Sequence, residues 1–418
     1  MNALRLTPLA FSLFALSLHS HAAEDFSNLL SQGKASLDAR YRYEYVDQDN
    51  LLNNANAQTL RTRLGFQSGK FHGLSALVEA DNVSRIGDAA YNSTRNGQSQ
   101  YSVVADPDGT EMNQALLRYD HTLGNLIGGR QRINLDNQRF IGSVAWRQNE
   151  QTFDGALGQL KPIENLTLTY AYIDNINSVF GPDNGRYASA ANPANIEGHS
   201  HLFNAQYQVA TELVITGYSY LLGLNNLALI ASGPTGTQSS KTSGVRLTGL
   251  VQGFSYAAEY ASQTDYADNP WSLDSDYYLG ELGYTLQTVA LKAGYEVLTG
   301  DSGPGARNQA FQTPLATKHA FQGWADVFLT TPIGGVEDAY LGASMPLLGG
   351  TAQAVYHDFS AQSSVSTGDD YGSEINLSYA HPIPGVKGLV GLAKYADYSA
   401  DDFSVDTRKF WLQLQYSL

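Results

Sequence analysis

The sequence predicts an all-β fold, a transmembrane antiparallel β-barrel of about 18 strands with short periplasmic turns and long extracellular loops. Three observations predict it: side chains alternate apolar and polar with a period of two along many segments, short and long connections take turns, and the alternation runs to the last residue. An N-terminal export signal agrees with all three.

That signal occupies residues 1–22, with Arg5, an apolar run from Leu9 to Leu18, and Ser20-His21-Ala22 as a small-x-small cleavage site. The apolar run is about half the roughly 20 residues a spanning helix needs. The expected mature chain is residues 23–418, read as one barrel because no proline-rich, serine-rich or charged linker interrupts it. Without Arg5 the 25 Lys+Arg become 24 against 40 Asp+Glu, a net charge of −16, which argues against nucleic acid as a partner. The absence of cysteine excludes disulfides, thiolate metal sites and a cysteine nucleophile. With 40 Gly, 26 Tyr, only 16% charged residues and no apolar run of about 18 after residue 23, the composition suits a barrel whose strands face lipid on one side and water on the other.

The alternation is plain from Ala35 onward. Ala35, Leu37, Ala39, Tyr41, Tyr43 and Tyr45 share one face, and Ser36, Asp38, Arg40, Arg42 and Glu44 the other. It returns in Leu60, Thr62, Leu64 and Phe66 against Arg61 and Arg63, and in Leu74, Ala76, Val78 and Ala80 against Glu79 and Asp81. Later examples are Leu117 and Tyr119 against Arg118 and Asp120, Tyr256, Ala258 and Tyr260 flanking Glu259, and Ile375, Leu377 and Tyr379 against Glu374 and Asn376. A soluble sandwich would also alternate; repetition over the whole chain favours the barrel.

Turn chemistry appears at Leu123-Gly124-Asn125 and at His381-Pro382-Ile383-Pro384-Gly385, while residues 82–110, 175–198 and 300–336 are long and polar. Sorting of short from long connections between the two rims is a porin-type feature. The last ten residues alternate Phe410, Leu412, Leu414, Tyr416 and Leu418 with Lys409, Trp411, Gln413, Gln415 and Ser417, resembling an outer-membrane insertion signal except that Leu418 stands where an aromatic is usual.

Longer blocks carry a family resemblance. Gly129-Arg130-Gln131-Arg132-Ile133-Asn134-Leu135-Asp136-Asn137-Gln138-Arg139-Phe140, followed by Trp146-Arg147-Gln148-Asn149-Glu150-Gln151-Thr152-Phe153-Asp154, resembles the alginate-export family of outer-membrane β-barrel porins. So do residues 294–301 from Gly294-Tyr295-Glu296, and residues 311–326 from Phe311-Gln312-Thr313-Pro314 to Trp324-Ala325-Asp326. The resemblance implies an 18-stranded monomeric barrel in the outer membrane of a Gram-negative bacterium, with lumen arginines that attract an anionic sugar polymer.

By alternation, Arg40, Arg42, Arg61, Arg63, Arg118, Arg130, Arg132 and Arg246 face inward, together with Glu44, Glu79, Asp81, Asp120, Glu259, Glu281, Glu296 and Glu374. Arginines concentrate between Arg40 and Arg147, which suggests a wall divided by charge and a transverse field along the path. Arg40, Arg42, Arg61, Arg63, Arg118, Arg130, Arg132 and Arg147 are therefore the expected substrate contacts, since a planar guanidinium suits carboxylates. The competing reading pairs each with a neighbouring acid, such as Arg63 with Glu79 or Asp81. Residues 134–147 read either as an inward constriction or as an ordinary extracellular loop. Residues 311–324 read as a loop in the mouth whose aromatics stack on sugars or, more plainly, pack to stabilise it.

The expected function is a passive, substrate-selective channel for anionic or polar saccharides or small organic acids, the alternative being a secretion channel for an anionic polysaccharide such as alginate. Expected partners are outer-membrane lipid, lipopolysaccharide, the barrel-assembly machinery and those solutes or oligosaccharides. No cofactor and no enzyme activity are expected: His199, Ser200 and His201 alternate faces, and His357-Asp358 lacks a nucleophile beside it. His199-x-His201 lacks a third metal ligand, and Asp106-Pro107-Asp108-Gly109 and Asp369-Asp370 read as solvated acidic loops before they read as calcium sites.

Overall fold

A computed structural model of the chain describes residues 28–300, 307–364 and 368–418, so the expected signal peptide lies outside the described residues. The strands are β1 (Lys34–Gln48), β2 (Ala55–Gln67), β3 (Leu74–Arg85), β4 (Gly109–His121), β5 (Gly124–Gln131), β6 (Thr152–Leu160), β7 (Leu166–Asn177), β8 (Asn195–Ala210) and β9 (Leu213–Leu222). They continue as β10 (Ser240–Val251), β11 (Phe254–Asp265), β12 (Asp274–Leu286), β13 (Val289–Thr299), β14 (Gly335–Leu347), β15 (Gly350–Ser360), β16 (Asp370–Pro382), β17 (Leu389–Ala400) and β18 (Thr407–Ser417). Each pairs antiparallel with the next, and β18 pairs with β1 from Asp38↔Ser417 to Gln48↔Thr407, so the expected 18-stranded sheet closes without a free edge.

Polarity is inverted relative to a soluble sandwich. Leu64, Leu117, Leu282 and Leu341 point outward and are 57–64% exposed, whereas inward Arg61, Glu296 and Trp411 are almost wholly buried. An apolar belt around charged contents is stable only with lipid outside, where a closed ladder leaves no strand edge unpaired.

Eight turns of two to six residues lie on one rim. In Gln252-Gly253 and Leu348-Gly349 both central residues have positive φ, the geometry whose twist matches the flanking strands. The described residues of the three long polar stretches all lie on the other rim, although the neighbouring strands reach into their ends. At the seam Leu418 closes through its backbone: its N–H donates to the Leu37 carbonyl at 2.9 Å, and the Leu37 N–H returns the bond at 3.3 Å.

Two of the loops turn into the lumen. Residues 132–151, between β5 and β6, form the first inward loop; residues 307–334, before β14, form the second. They bind one another: the Gly142 N–H donates to the Leu315 carbonyl at 2.9 Å, the Thr317 N–H to the Gln138 carbonyl at 3.0 Å, and Gln151 Nε2 to the carbonyls of Gly142 and Leu315. Ile141, Phe311 and Leu315 are fully buried, and the Phe140 ring lies 5.2 Å from Tyr277 and 5.9 Å from Phe311. Each such buried apolar side chain contributes about 1.5–3 kcal/mol, enough to hold the loops inside.

Candidate functional site

Seven of the eight expected arginines stand in the lumen, and every one is engaged. On the early wall Arg63 forks onto Asp81 at 2.6 and 2.7 Å and also meets Glu150, Arg132 bridges Glu79 and Glu150, and Arg61 pairs with Asp38. Burial opposes charge on Glu150, yet Arg63 and Arg132 hold its carboxyl below the usual range. Arg118 sits towards the short-turn rim with Asp120, 2.7 Å away. Arg40 and Arg42 hold the first inward loop by its backbone: Arg40 Nη1 donates to the carbonyls of Ala145, Trp146 and Arg147, and Arg42 Nη2 to that of Trp146 at 2.6 Å. The Arg42 guanidinium also stacks 4.0 Å from the Trp146 ring centre.

Arg130 corrects the sequence reading. It stands opposite Ala115 on β4 and Asp154 on β6, on the outward face, where it binds Asp154 through two bonds of 2.7 and 2.9 Å. Gly129 and Gln131 take the inward positions; Arg132 faces inward because the strand has ended at Gln131 and parity no longer applies. The charge-divided wall is corrected as well, since acids are interleaved with the arginines on the early strands.

On the late wall Glu296 and Asp338 stand directly opposite each other on β13 and β14. Glu296 accepts from Arg139 Nε and Tyr277 Oη at 2.7 Å and from Gln322 Nε2 at 2.8 Å, so it ties both inward loops to the wall. Asp338 receives His357 Nδ1 at 2.9 Å. Glu374 on β16 accepts the backbone N–H groups of Trp324 and Ala325.

The other end of the second loop is fixed near the seam. Lys394 Nζ lies 3.6 Å from the Trp324 ring centre, 4.3 Å from Trp146 and 5.5 Å from Trp411, and contacts His319 Nε2 at 2.6 Å. His319 Nδ1 reaches Asp326 Oδ1 at 2.7 Å; Lys409 Nζ donates to Asp326 Oδ2 at 2.8 Å, and Arg147 stands 3.5 Å from it. Burial pushes His319 down to about 3, so the ring is neutral, giving its Nδ1 proton to Asp326 and accepting from Lys394 at Nε2. Burial would raise Asp326, but His319, Lys409 and Arg147 hold it well below the carboxylate range. Lys394, Lys409, Arg139 and Asp326 carry no local signal of a role; His319, Asp326 and Arg139 lie within the family blocks, and the two lysines are ordinary inward positions of β17 and β18.

Two cavities flank the second loop. The outer one, about 600 Å³, is lined by Arg147, Lys318, His319, Asp326 and Lys409 among others. The inner one, about 500 Å³, is lined by Arg246, Lys292, Phe321, Trp324, Tyr340 and His357 among others. Other motifs have other duties. Asp106 is buried beside Arg147 and accepts the Gln148 N–H; His199 and His201 bond Tyr172 and Tyr170 on the outward face; His357 pairs with Asp338 and not with Asp358.

Solved structures share this architecture. Pseudomonas aeruginosa OccK3 (OpdO) aligns over 96% of this chain and 99% of its own with a TM-score of 0.68 at 16% identity. For P. aeruginosa OccK9 (OpdG) the coverages are 94% and 99%, the TM-score 0.69 and the identity 17%. P. aeruginosa OpdK, solved with vanillate, covers 93% and 99% with a TM-score of 0.68 at 13% identity. No curated protein sequence matches the chain. These barrels establish the outer-membrane porin fold, and the match of residues 31–328 to the alginate-export family shows that the chain belongs to that family.

Proposed function

We propose that the protein is a passive outer-membrane channel, selective for small organic acids and anionic or polar saccharides. The observation that carries this reading is the pair of solute-sized cavities, each with cations in its wall: Arg147, Lys318 and Lys409 outside, Arg246 and Lys292 inside. Cavities of roughly 300–1,000 Å³ take small molecules, and cationic donors beside aromatic faces suit a carboxylate on a ring. The vanillate in OpdK, a small aromatic carboxylate in a barrel of the same fold, supports the organic-acid class. Of the arginines expected to touch the solute, Arg147 lines the outer cavity, and Arg40, Arg42, Arg61, Arg63 and Arg132 act behind it by fixing loop and wall. The barrel is proposed to act as a monomer, with lipid and lipopolysaccharide against its apolar belt and the barrel-assembly machinery as its insertion partner.

The second reading is export of an anionic polysaccharide, which the family's name favours. The loops packed across the lumen favour small solutes. Planar-bilayer recordings test the two: a reversal potential displaced towards anions and block by glucuronate or benzoate are expected. Equal passage of cations and anions with no block would refute the anion-selective reading, and block by alginate oligomers alone would favour export.

A further inference from the structure

Residues 318–326 divide the lumen. Ala320, Phe321, Gln322 and Trp324 line the inner cavity, while Lys318, His319, Ala325 and Asp326 line the outer one. A solute that crosses must displace this segment or pass beside it. Its fastenings differ on the two faces. Towards the inner cavity and the wall it is held by Glu296 on Gln322 and by Glu374 on the backbone of Trp324 and Ala325. Towards the outer cavity it is held by His319 on Lys394 and by one carboxylate, Asp326, on Lys409 and Arg147, while His319 and Asp326 bind one another within the segment. Asp326, Lys409, Arg147 and His319 all line the outer cavity, so a solute there meets cations whose partner is already a carboxylate.

We propose that Asp326 is the resident occupant of a carboxylate site, and that a permeating carboxylate exchanges with it at Lys409 and Arg147, releasing the Asp326 end of the segment while His319 stays fastened to Lys394. The proposal rests on the channel reading above. Exchange of one carboxylate for another leaves both cations paired, which avoids the cost of an uncompensated buried charge. The neutral His319 keeps its Nδ1 proton for the incoming oxygen while its Nε2 stays with Lys394. Arg147 remains anchored by Glu44 at 3.0 and 3.3 Å, so the site keeps its shape when Asp326 leaves. A neutral sugar carries no charge to compete for these cations, and a cation is repelled. Selectivity for anions then follows from the exchange itself, without a free basic ladder.

Three of the four tryptophans, Trp146, Trp324 and Trp411, surround Lys394 beside this site, which gives a readout independent of conductance. The full folded protein, with Trp271→Phe to remove the fourth indole, is titrated with glucuronate and with glucose while tryptophan emission is followed. Folding of each variant is checked by its heat-dependent gel mobility. Asp326→Asn removes the resident charge, so the half-saturating glucuronate concentration should fall by about tenfold or more, the equivalent of roughly 1.4 kcal/mol. Asp326→Ser should act in the same direction if the asparagine variant does not fold, and Asp326→Glu should restore near-wild-type behaviour. Glucose should leave emission unchanged in all of them. Unchanged or weaker glucuronate binding in the neutral variants, in a channel that still prefers anions in bilayers, overturns the exchange and leaves the channel reading intact. Absence of anion preference in the wild type as well overturns both.

Discussion

Glu296 and Asp338 illustrate how single residues here correct what the strands impose. Closing the sheet puts the two carboxylates directly opposite each other, an arrangement that destabilises a ladder. Arg139, from the first inward loop, neutralises Glu296, and His357 serves Asp338. Arg40 and Arg61 are likewise opposed on β1 and β2, relieved by loop carbonyls and Asp38. Arg139→Met leaves a buried carboxylate without its cation; loss of one partner from such a pair costs about 3–5 kcal/mol. The expected outcome is a loosened constriction in an intact barrel, seen as noisier, larger single-channel currents with unchanged far-UV circular dichroism. His319 predicts a pH response. Its folded value of about 3 lies below the ordinary 6.5, so between these values the released loop binds a proton that the packed loop does not. Packing is therefore fully stable above about 6.5 and weakens as the pH falls towards about 3. Tryptophan emission should shift to the red over that window, and His319→Gln should flatten the response. Arg130, outside the lumen, gives the contrasting expectation: Arg130→Gln leaves the reversal potential unchanged.

At the scale of elements, the two inward loops are held by one shared apolar cluster as much as by charge. Phe311 packs against Phe140 and Tyr277 and is fully buried. Phe311→Ala should cost about 3–5 kcal/mol of that packing. Because the strands do not depend on it, the expected result is a higher conductance with heat-dependent gel mobility preserved. Loops are where the sequence was least legible. A strand announces its faces by a period of two, but Ile141, Phe311 and Leu315 have no period, and the cluster they join includes Tyr218, Tyr220 and Tyr277 on distant strands. Residues 134–147 consequently allowed either an inward or an outward course. The family blocks did contain the decisive side chains: Arg139, Glu296, His319 and Asp326 all fall within them, although nothing local distinguishes a brace from a substrate contact. Lys394 and Lys409 were invisible as a site, since each alternates like any other lumen residue and acquires meaning only beside Trp324 and Asp326.

For the whole molecule, strand number, closure and the sorting of turns from loops were legible because one physical rule, lipid outside and water inside, acts on nearly every strand. The rule fails where a strand stops, as after Gln131, so alternation gives Arg130 and Arg132 one face although they take two. Removal of residues 407–418 would leave β17 and β1 with unpaired edges, and the expected outcome is loss of the heat-modifiable folded species on gels. The position of the seam has a further consequence for how the protein comes into being. Every neighbouring pair of strands is local in sequence except β1 with β18, where Arg40 and Gln415 bond across 375 residues. Contacts of such separation form late and slowly. Arg42 belongs to the first strand, Lys394, Lys409 and Trp411 to the last two, and Trp146 and Asp326 to loops between, so their cluster is assembled by the final docking event. The Lys394 end of the constriction is thus fastened last, when the seam docks, whereas the apolar cluster between the two inward loops does not depend on it. The indoles around Lys394 serve as an internal clock for that docking.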